Sequence, residues 1–252
     1  MTLRDYYLHI LKVSKVTRCK YHKINAKLDK LSSMDRYHSI RKLIAEHADE
    51  NKARQMAQYM RHRFRFHGLP AAGRKRCYQD FLRQERRNGC IDWPLLDECW
   101  QDEYRELQYF VSDYLLALKS FLTFTDIPKI EAYVRGKQWW DTIDSLCKII
   151  GYVGLNDSRT NLLMLQWSLD PDIWVRRAAI EHQLGRKGQT NTELLASIIV
   201  NNFGSNECFI NKAIGWALRD FSRTNPAWVR NFLQIHQTSM HKMSCREAGK
   251  YL

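Results

Sequence analysis

The fold of this chain is decided by residues 138–150, which read QWWDTIDSLCKII. On an α-helix, this stretch brings Trp139, Ile143, Leu146 and Ile150 to positions i, i+4, i+7 and i+11. Side chains at that spacing share one helical face, and a continuous apolar face is typical of a helix packed against a hydrophobic core. The sequence therefore predicts an amphipathic helix whose apolar face is buried.

A second face of the same predicted helix carries Trp140, Asp144 and Lys148, each four residues from the next. A large aromatic, a carboxylate and a cation on one face form the combination expected at a functional site. The alternative is structural: Trp140 covers a seam between helices, and Asp144 and Lys148 form an ordinary ion pair one turn apart. From this stretch alone the structural interpretation is favoured.

The composition is that of a folded, basic protein. Of 252 residues, 44% are hydrophobic, which is enough for a sizeable core in one large domain or two small ones. Lys and Arg number 40 against 27 Asp and Glu, and the charge of +13 favours a polyanionic partner, nucleic acid before an anionic membrane surface. Since the sequence has neither a membrane-spanning apolar run nor a signal-peptide pattern, we expect a cytoplasmic protein without a membrane partner, nucleoid-associated if bacterial.

The seven cysteines are scattered along the chain and never form a CxxC pair. An odd number without paired spacing argues against a disulfide framework and against a zinc site. We therefore predict no metal and no cofactor.

Helical periodicity runs through nearly the whole chain from about residue 37, and strand-like alternation is scarce, so the predicted fold class is all-α. Residues 1–36 are predicted as a basic N-terminal extension, either a loose helix or a solvated charged segment. Prolines that follow a capping side chain mark helix starts. They lie in Asp92-Trp93-Pro94, Asp126-Ile127-Pro128, Asp170-Pro171 and Asn225-Pro226.

Cationic positions recur with a period close to 35 residues. Arg177, Lys212 and Arg246 each lie inside a predicted helix, 35 and 34 residues apart. A period of this length with paired helices is the signature of an α-solenoid, in which equivalent positions of successive repeats line up. The three cations are therefore predicted to form a basic row along one surface, unless the spacing is a coincidence of common residues.

A tryptophan again falls on the polar side of the predicted helix 207–221, where Trp216 shares a charged face with Lys212 and Arg219. Two such tryptophans near cations and one carboxylate suggest an aromatic-lined cationic groove. In a nucleic-acid binder, aromatics of this kind stack on bases or sugars while Lys and Arg hold phosphates. Residues 138–150 and 207–221 together therefore favour a nucleic-acid site.

Several stretches of the chain carry a resemblance to a known family. They are residues 139–144 (WWDTID), 173–180 (IWVRRAAI), 209–219 (FINKAIGWALR) followed by 224–226 (TNP), and 56–68 (MAQYMR through FHG). In this order and spacing they resemble the AlkD family of HEAT-like-repeat DNA glycosylases, from about Tyr37 to the end. The resemblance implies one domain, residues 37–252, folded as an α-solenoid of HEAT-like repeats with a concave basic surface that cradles duplex DNA.

The resemblance also implies an activity, the excision of positively charged N3- or N7-alkylated purines in base excision repair. Matched by motif, Trp140 and Trp216 are the aromatic walls that face the deoxyribose, and Asp144 is the catalytic carboxylate. Arg177 is the cation near the DNA backbone, expected to hold a phosphate through two hydrogen bonds. Further DNA contacts are expected from Lys148, Lys212, Arg219, Arg246 and Tyr59, with simple packing as the alternative for Tyr59.

The residue types fit this chemistry without the resemblance. Alkylation at N7 or N3 gives the purine a positive charge, so the base leaves without a strong acid and the barrier is oxocarbenium formation on the sugar. Asp144 can stabilise that charge and orient water, and the indole faces favour a cationic sugar. Because no lysine stands out as a Schiff-base nucleophile, we predict a monofunctional, monomeric enzyme. The alternatives are a non-catalytic HEAT protein that binds damaged or branched DNA, and a HEAT scaffold for an acidic protein.

Overall fold

The computed structural model describes residues 26–252, with side chains described from Ser33 onward. Among these residues the regular structure is helical, with one isolated bridge between Arg65 and Tyr104, so the predicted all-α class is confirmed. No helix in the described range is both long and apolar enough to cross a membrane. The chain divides into two compact units between Phe121 and Leu122.

The first unit contains six of the described helices, and α1 packs on α3 and α5 while α6 packs on α4 and α5. Their bounds are α1 Ala26–Ala45, α2 Glu50–Tyr59, α3 Ala71–Cys77, α4 Gln79–Asn88, α5 Trp93–Gln101 and α6 Arg105–Ala117. The first 25 residues of the predicted extension lie outside the described range, and α1 continues past the predicted boundary at residue 36. That boundary stays a prediction.

A buried glutamate on α6 fixes the loop that leads from α2 into α3. The Glu106 carboxylate is fully buried and accepts the backbone N–H groups of His67, Gly68 and Leu69 at 3.1, 2.9 and 3.2 Å. A charged acceptor that satisfies three backbone donors compensates for the cost of its own burial. Glu106 thereby fixes the loop from inside the unit.

The second unit consists of eight further helices. Their bounds are α7 Ile127–Arg135, α8 Trp140–Asn156, α9 Arg159–Trp167, α10 Ile173–Glu181, α11 Thr192–Val200, α12 Cys208–Ser222, α13 Pro226–His236 and α14 Lys242–Ala248. Helices α8, α10, α12 and α14 pack successively on one another, and α9 packs on α11. The buried stripe predicted for residues 138–150 is confirmed, since its four apolar residues are at most 5% exposed.

Three of the four predicted helix starts are confirmed, and the one at Asp170-Pro171 is wrong. Helix α10 begins two residues later, after Asp172, whose Oδ1 accepts the Trp174 N–H at 2.9 Å. The Asp170 carboxylate instead accepts a hydrogen bond from Arg135 Nη2 at 2.6 Å and another from the Asp172 N–H at 2.8 Å. The carboxylate that caps the helix is therefore the one after the proline.

An aromatic cluster shows the repeat directly. Trp139, Trp174 and Phe209 lie 35 residues apart at the starts of α8, α10 and α12, and their ring centroids are 5.6, 4.9 and 5.1 Å from one another. Hydrogen bonds between successive helix pairs have similar separations in sequence, 35 residues in the Arg186 to Gly151 bond and 33 in the Arg177 to Asp144 bond. The predicted period near 35 residues is therefore confirmed as a helical repeat, while the concave basic surface stays a prediction.

Glycines bring neighbouring helices of the α8, α10, α12 and α14 stack into close contact. A Cβ atom on Gly151 of α8 would lie 2.2 Å from the carbonyl oxygen of His182 at the end of α10, and one on Gly215 of α12 would lie 2.5 Å from Glu247 Cβ on α14. These distances leave no room for any side chain. The two glycines therefore set the spacing between the helices that carry the candidate site.

Candidate active site

Three helices that pack successively on one another, α8, α10 and α12, bring Asp144, Arg177 and Trp216 together. Asp144 lies on α8, Arg177 on α10 and Trp216 on α12, so each comes from a different repeat. The aromatic cluster at the starts of these helices and the close contact at Gly151 hold the backbones in register. The site is thus a product of repeat stacking, and no single loop forms it.

Arg177 is the centre of this group and is fully buried. Its Nε and Nη2 atoms both donate to Asp144 Oδ1, at 3.0 and 2.8 Å, and Nη1 donates to the Phe209 carbonyl oxygen at 2.7 Å. The guanidinium carbon lies 5.1 Å from the centroid of the Trp216 ring, a cation–π distance. Arg177 is therefore fixed on several sides, and it fixes Asp144 in turn.

Arg177 holds Asp144 through one oxygen. Both hydrogen bonds from Arg177 end on Oδ1, and the Glu181 carboxyl also lies within hydrogen-bonding reach of the Asp144 side chain. The side chain is 28% exposed, so solvent reaches this carboxylate. Asp144 therefore combines a fixed orientation with access to solvent.

The two predicted tryptophan walls lie near the surface. Trp140 is the first residue of α8, one turn before Asp144, and is half-buried. Trp216 is also half-buried, with one ring face near Arg177. The structure brings Trp216 to the Asp144–Arg177 pair, and Trp140 shares a helical face with Asp144 as predicted.

Two predicted roles of charged residues are wrong in this structure. Asp144 pairs with Arg177, whereas Lys148 is exposed and no carboxylate in the described range lies within 4 Å of its ammonium group. The predicted basic row also fails, because Arg177 is 0% exposed while Arg246 lies on the surface. Because the Arg177 side chain is inaccessible to solvent, it does not reach a phosphate in this conformation.

The other predicted DNA-binding residues occupy varied environments. Lys212 is half-buried on α12, one turn before Trp216, and Arg246 is exposed on α14. Arg219 donates to Glu247 Oε2 at 2.7 Å. Tyr59 ends α2 in the first unit and is 71% exposed. Nothing in this geometry tests their DNA contacts, which stay predictions.

Comparison with known proteins decides the family. The family model described as DNA alkylation repair enzyme matches residues 40–252, which is most of the chain. The chain belongs to this family. The predicted resemblance is thereby confirmed, and membership indicates a role in DNA alkylation repair with DNA as the substrate.

Solved structures agree with this membership. A predicted DNA alkylation repair enzyme from Enterococcus faecalis is 30% identical, with a TM-score of 0.75 over 81% of this chain and 96% of that one. A second structure, smu.31 from Streptococcus mutans UA159, is 18% identical, with a TM-score of 0.54 over 71% of this chain and 97% of that one, and supports the fold alone. No curated protein matches the sequence significantly.

One residue of this DNA alkylation repair family member was missed by the sequence analysis. Glu181 is fully buried at the end of α10, and its Oε1 lies 2.7 Å from Arg177 Nη2. Its position four residues after Arg177 was the available signal, because residues at i and i+4 meet on one helical face. It was overlooked because the surrounding residues, Ala178 to Ile180, look like simple core.

Titratable groups around Arg177 respond to their burial. Desolvation raises the pKa of Glu181 to about 9, with Arg177 opposing and Asp144 adding to the shift. Desolvation also raises the pKa of the Cys147 thiol on α8 well above its usual value. No group of three or more His, Cys, Asp or Glu side chains within the described residues is arranged to hold a metal ion.

Proposed function

We propose that this protein is a monofunctional DNA glycosylase that removes cationic N3- or N7-alkylated purines from duplex DNA, acting as a monomer in base excision repair. Membership of the DNA alkylation repair enzyme family supports this proposal. The observation that carries it is the geometry of Asp144, which is 28% exposed and is held through Oδ1 by Arg177, whose guanidinium lies against the Trp216 ring.

The chemistry follows from the charge on the substrate. The N-glycosidic bond breaks with its electron pair moving to the purine, which neutralises the alkylated base and leaves an oxocarbenium on the sugar. Asp144 stabilises that positive charge and accepts a proton from the water that attacks C1′, and solvent takes up the proton afterwards. The products are free alkylpurine and an abasic site, and no covalent enzyme intermediate is required.

The tryptophans act in the same step. An indole face attracts a cation more strongly than a neutral sugar, so Trp140 and Trp216 stabilise the transition state more than the ground state. Such an interaction contributes about 0.5–2 kcal/mol, depending on how far the cation is desolvated. Arg177 holds the carboxylate in place, because a catalytic group has to be positioned before the reaction begins.

Cations that are exposed or half-buried provide sequence-independent affinity in this proposal. Lys148, Lys212 and Arg246 are the candidates for phosphate contacts, with Arg219 available where Glu247 releases it. Removing one cation that binds a phosphate lowers the log–log slope of affinity against salt by roughly one unit. Charge reversal at Arg246 is therefore expected to weaken DNA binding and flatten its salt dependence, without changing the rate of base release at saturation.

The decisive experiment measures release of free base from duplex DNA containing N7-methylguanine, without added metal. Wild type is expected to release the base, and Asp144→Asn to be slower by about 100-fold or more with DNA affinity within a few-fold, since removing one electrostatic contact to the transition state costs this much. Asp157→Asn is the matched control, because Asp157 lies at the far end of α8 and pairs with exposed Arg159.

Two outcomes would contradict this assignment. Equal rates for wild type and Asp144→Asn would remove Asp144 from the reaction. No release by wild type from N7-methylguanine, N3-methyladenine and a bulkier N7 adduct would leave a DNA-binding repeat protein, whose tryptophans serve recognition of damaged or branched DNA.

A further inference from the structure

Glu181 is a buried carboxylate without the partners that such a group needs. It is completely inaccessible to solvent, and neither oxygen accepts a hydrogen bond of good geometry within the described residues, although the Asp144 and Cys147 side chains lie within reach of it. The Arg177 Nη2 atom lies 2.7 Å from Oε1, at ion-pair distance. An ionised carboxylate in such a place loses its hydration and gains in return one cation, which it shares with Asp144.

Glu106 shows how the same fold accommodates a buried glutamate in another place. Glu106 is also fully buried, yet its oxygens accept three backbone N–H groups. Across residues 33–252, Glu181 receives no such donors, and it shares the Arg177 cation with a second carboxylate, Asp144. One guanidinium between two ionised carboxylates leaves the group with a net negative charge. Binding a proton removes that charge, and burial favours the proton on the more buried carboxylate, Glu181.

We propose that Glu181 is a positioning residue that anchors Arg177 from the buried side in its neutral form, so that Asp144 alone carries the negative charge of the group. Arg177 is then held between Glu181 within the core and Asp144 towards solvent. An ionised Glu181 would place a second negative charge against the same Nη2 atom and close to Asp144, and the two carboxylates would repel each other. This inference rests on the proposed function, since it assigns a support to the same catalytic carboxylate.

The groups that face Glu181 agree with a neutral form. Arg177 lies on its own helix, and Asp144 and Cys147 face it from α8. Burial raises the pKa of Glu181, and the neighbouring Asp144 adds to the rise while Arg177 opposes it. Because Cys147 is itself buried with a raised pKa, the thiol stays neutral beside Glu181.

The test compares Glu181→Gln with Glu181→Ala in the base-release assay across pH 7 to 10. Gln has the shape of a neutral Glu, so Glu181→Gln is expected to stay within about 3-fold of wild type at pH 7. Glu181→Ala removes the anchor and is expected to lower kcat by about 10-fold or more with little change in KM, because the loss concerns the transition state. The wild-type rate should decline towards pH 10, while the Gln variant should show no such decline.

The matched control is Glu106→Gln, which changes a buried glutamate outside the site and should keep the wild-type pH profile. Circular dichroism confirms that each variant is folded. If Glu181→Gln is as impaired as Glu181→Ala, the negative charge is required and the neutral anchor is wrong. If both variants match wild type at every pH, Glu181 positions nothing.

An NMR measurement separates this proposal from the proposed function. The Arg177 Nε–H signal, assigned by its loss in Arg177→Lys, should keep its chemical shift in Glu181→Gln and move in Glu181→Ala. That result would support the role of Glu181 as an anchor of Arg177 whether or not wild type releases a base. Absence of base release by wild type would overturn only the glycosylase assignment. An unchanged signal in Glu181→Ala would overturn the anchor whatever the activity.

Discussion

Replacing Gly151 with Ala should move apart α8 and α10, the two helices that carry Asp144 and Arg177. Gly151 lies on α8 two turns after Asp144, and its missing Cβ would lie 2.2 Å from the backbone oxygen of His182, which follows α10. Because this oxygen belongs to the backbone, no side-chain rotation relieves the clash. The two backbones must move apart by about 1 Å to restore van der Waals contact.

The expected cost follows from this displacement. Forcing extra volume into a packed core costs about 1–3 kcal/mol, and the better helix propensity of Ala over Gly returns up to about 1 kcal/mol. The hydrogen bonds from Arg177 to Asp144 Oδ1 are 3.0 and 2.8 Å long, so a separation of that size breaks them. Gly151→Ala should therefore lose about 1–2 kcal/mol of stability and most of its base-release activity.

The assay pairs urea unfolding with base release from alkylated duplex DNA. Gly73→Ala is the matched control, because Gly73 is helical and a Cβ there meets nothing within 4 Å. That variant should keep its activity and be as stable as wild type or slightly more so. If Gly151→Ala is as stable as wild type and equally active, the close approach of the two helices does not set the geometry of the site.

Other predictions follow from the same contacts. Trp174→Ala should cost about 3–5 kcal/mol in urea unfolding, because the ring is buried between Trp139 and Phe209; a loss below about 1 kcal/mol would contradict the aromatic cluster. Between pH 4.5, the usual pKa of Glu, and about 9, folded Glu181 keeps a proton that the unfolded chain has lost. The stability of wild type relative to Glu181→Gln should therefore fall as the pH rises through that window, by at most about 1.4 kcal/mol per unit; a constant difference in urea unfolding would refute this.

The repeat and the buried stripe could be predicted because each depends on local spacing. Apolar residues at helical intervals identified the core face of α8, and cations about 35 residues apart identified the period. The aromatic residues carry the same period with less ambiguity. Trp139, Trp174 and Phe209 recur at 35 residues without deviation.

The partners of Asp144 could not be predicted in the same way. An i+4 lysine on the same helix is a reasonable partner for a carboxylate, but the structure supplies Arg177 from the next repeat, 33 residues away. Spacing alone does not show how deeply a side chain lies between two helices. Arg177 was therefore expected on the surface. In the structure the Arg177 side chain is buried, between helices that approach closely at Gly151.

The contact between Gly215 and Glu247 has a consequence for partial unfolding. In a stack of repeats each helix packs only on its neighbours, and α14 has only seven residues, so it opens at lower free energy than the longer helices of the stack. Opening of α14 would release the helix that carries Trp216 from one side, while Arg177 on α10 and Asp144 on α8 stayed paired. Heating should therefore remove an aromatic wall before it removes the carboxylate, and activity should decline at temperatures below the main unfolding transition.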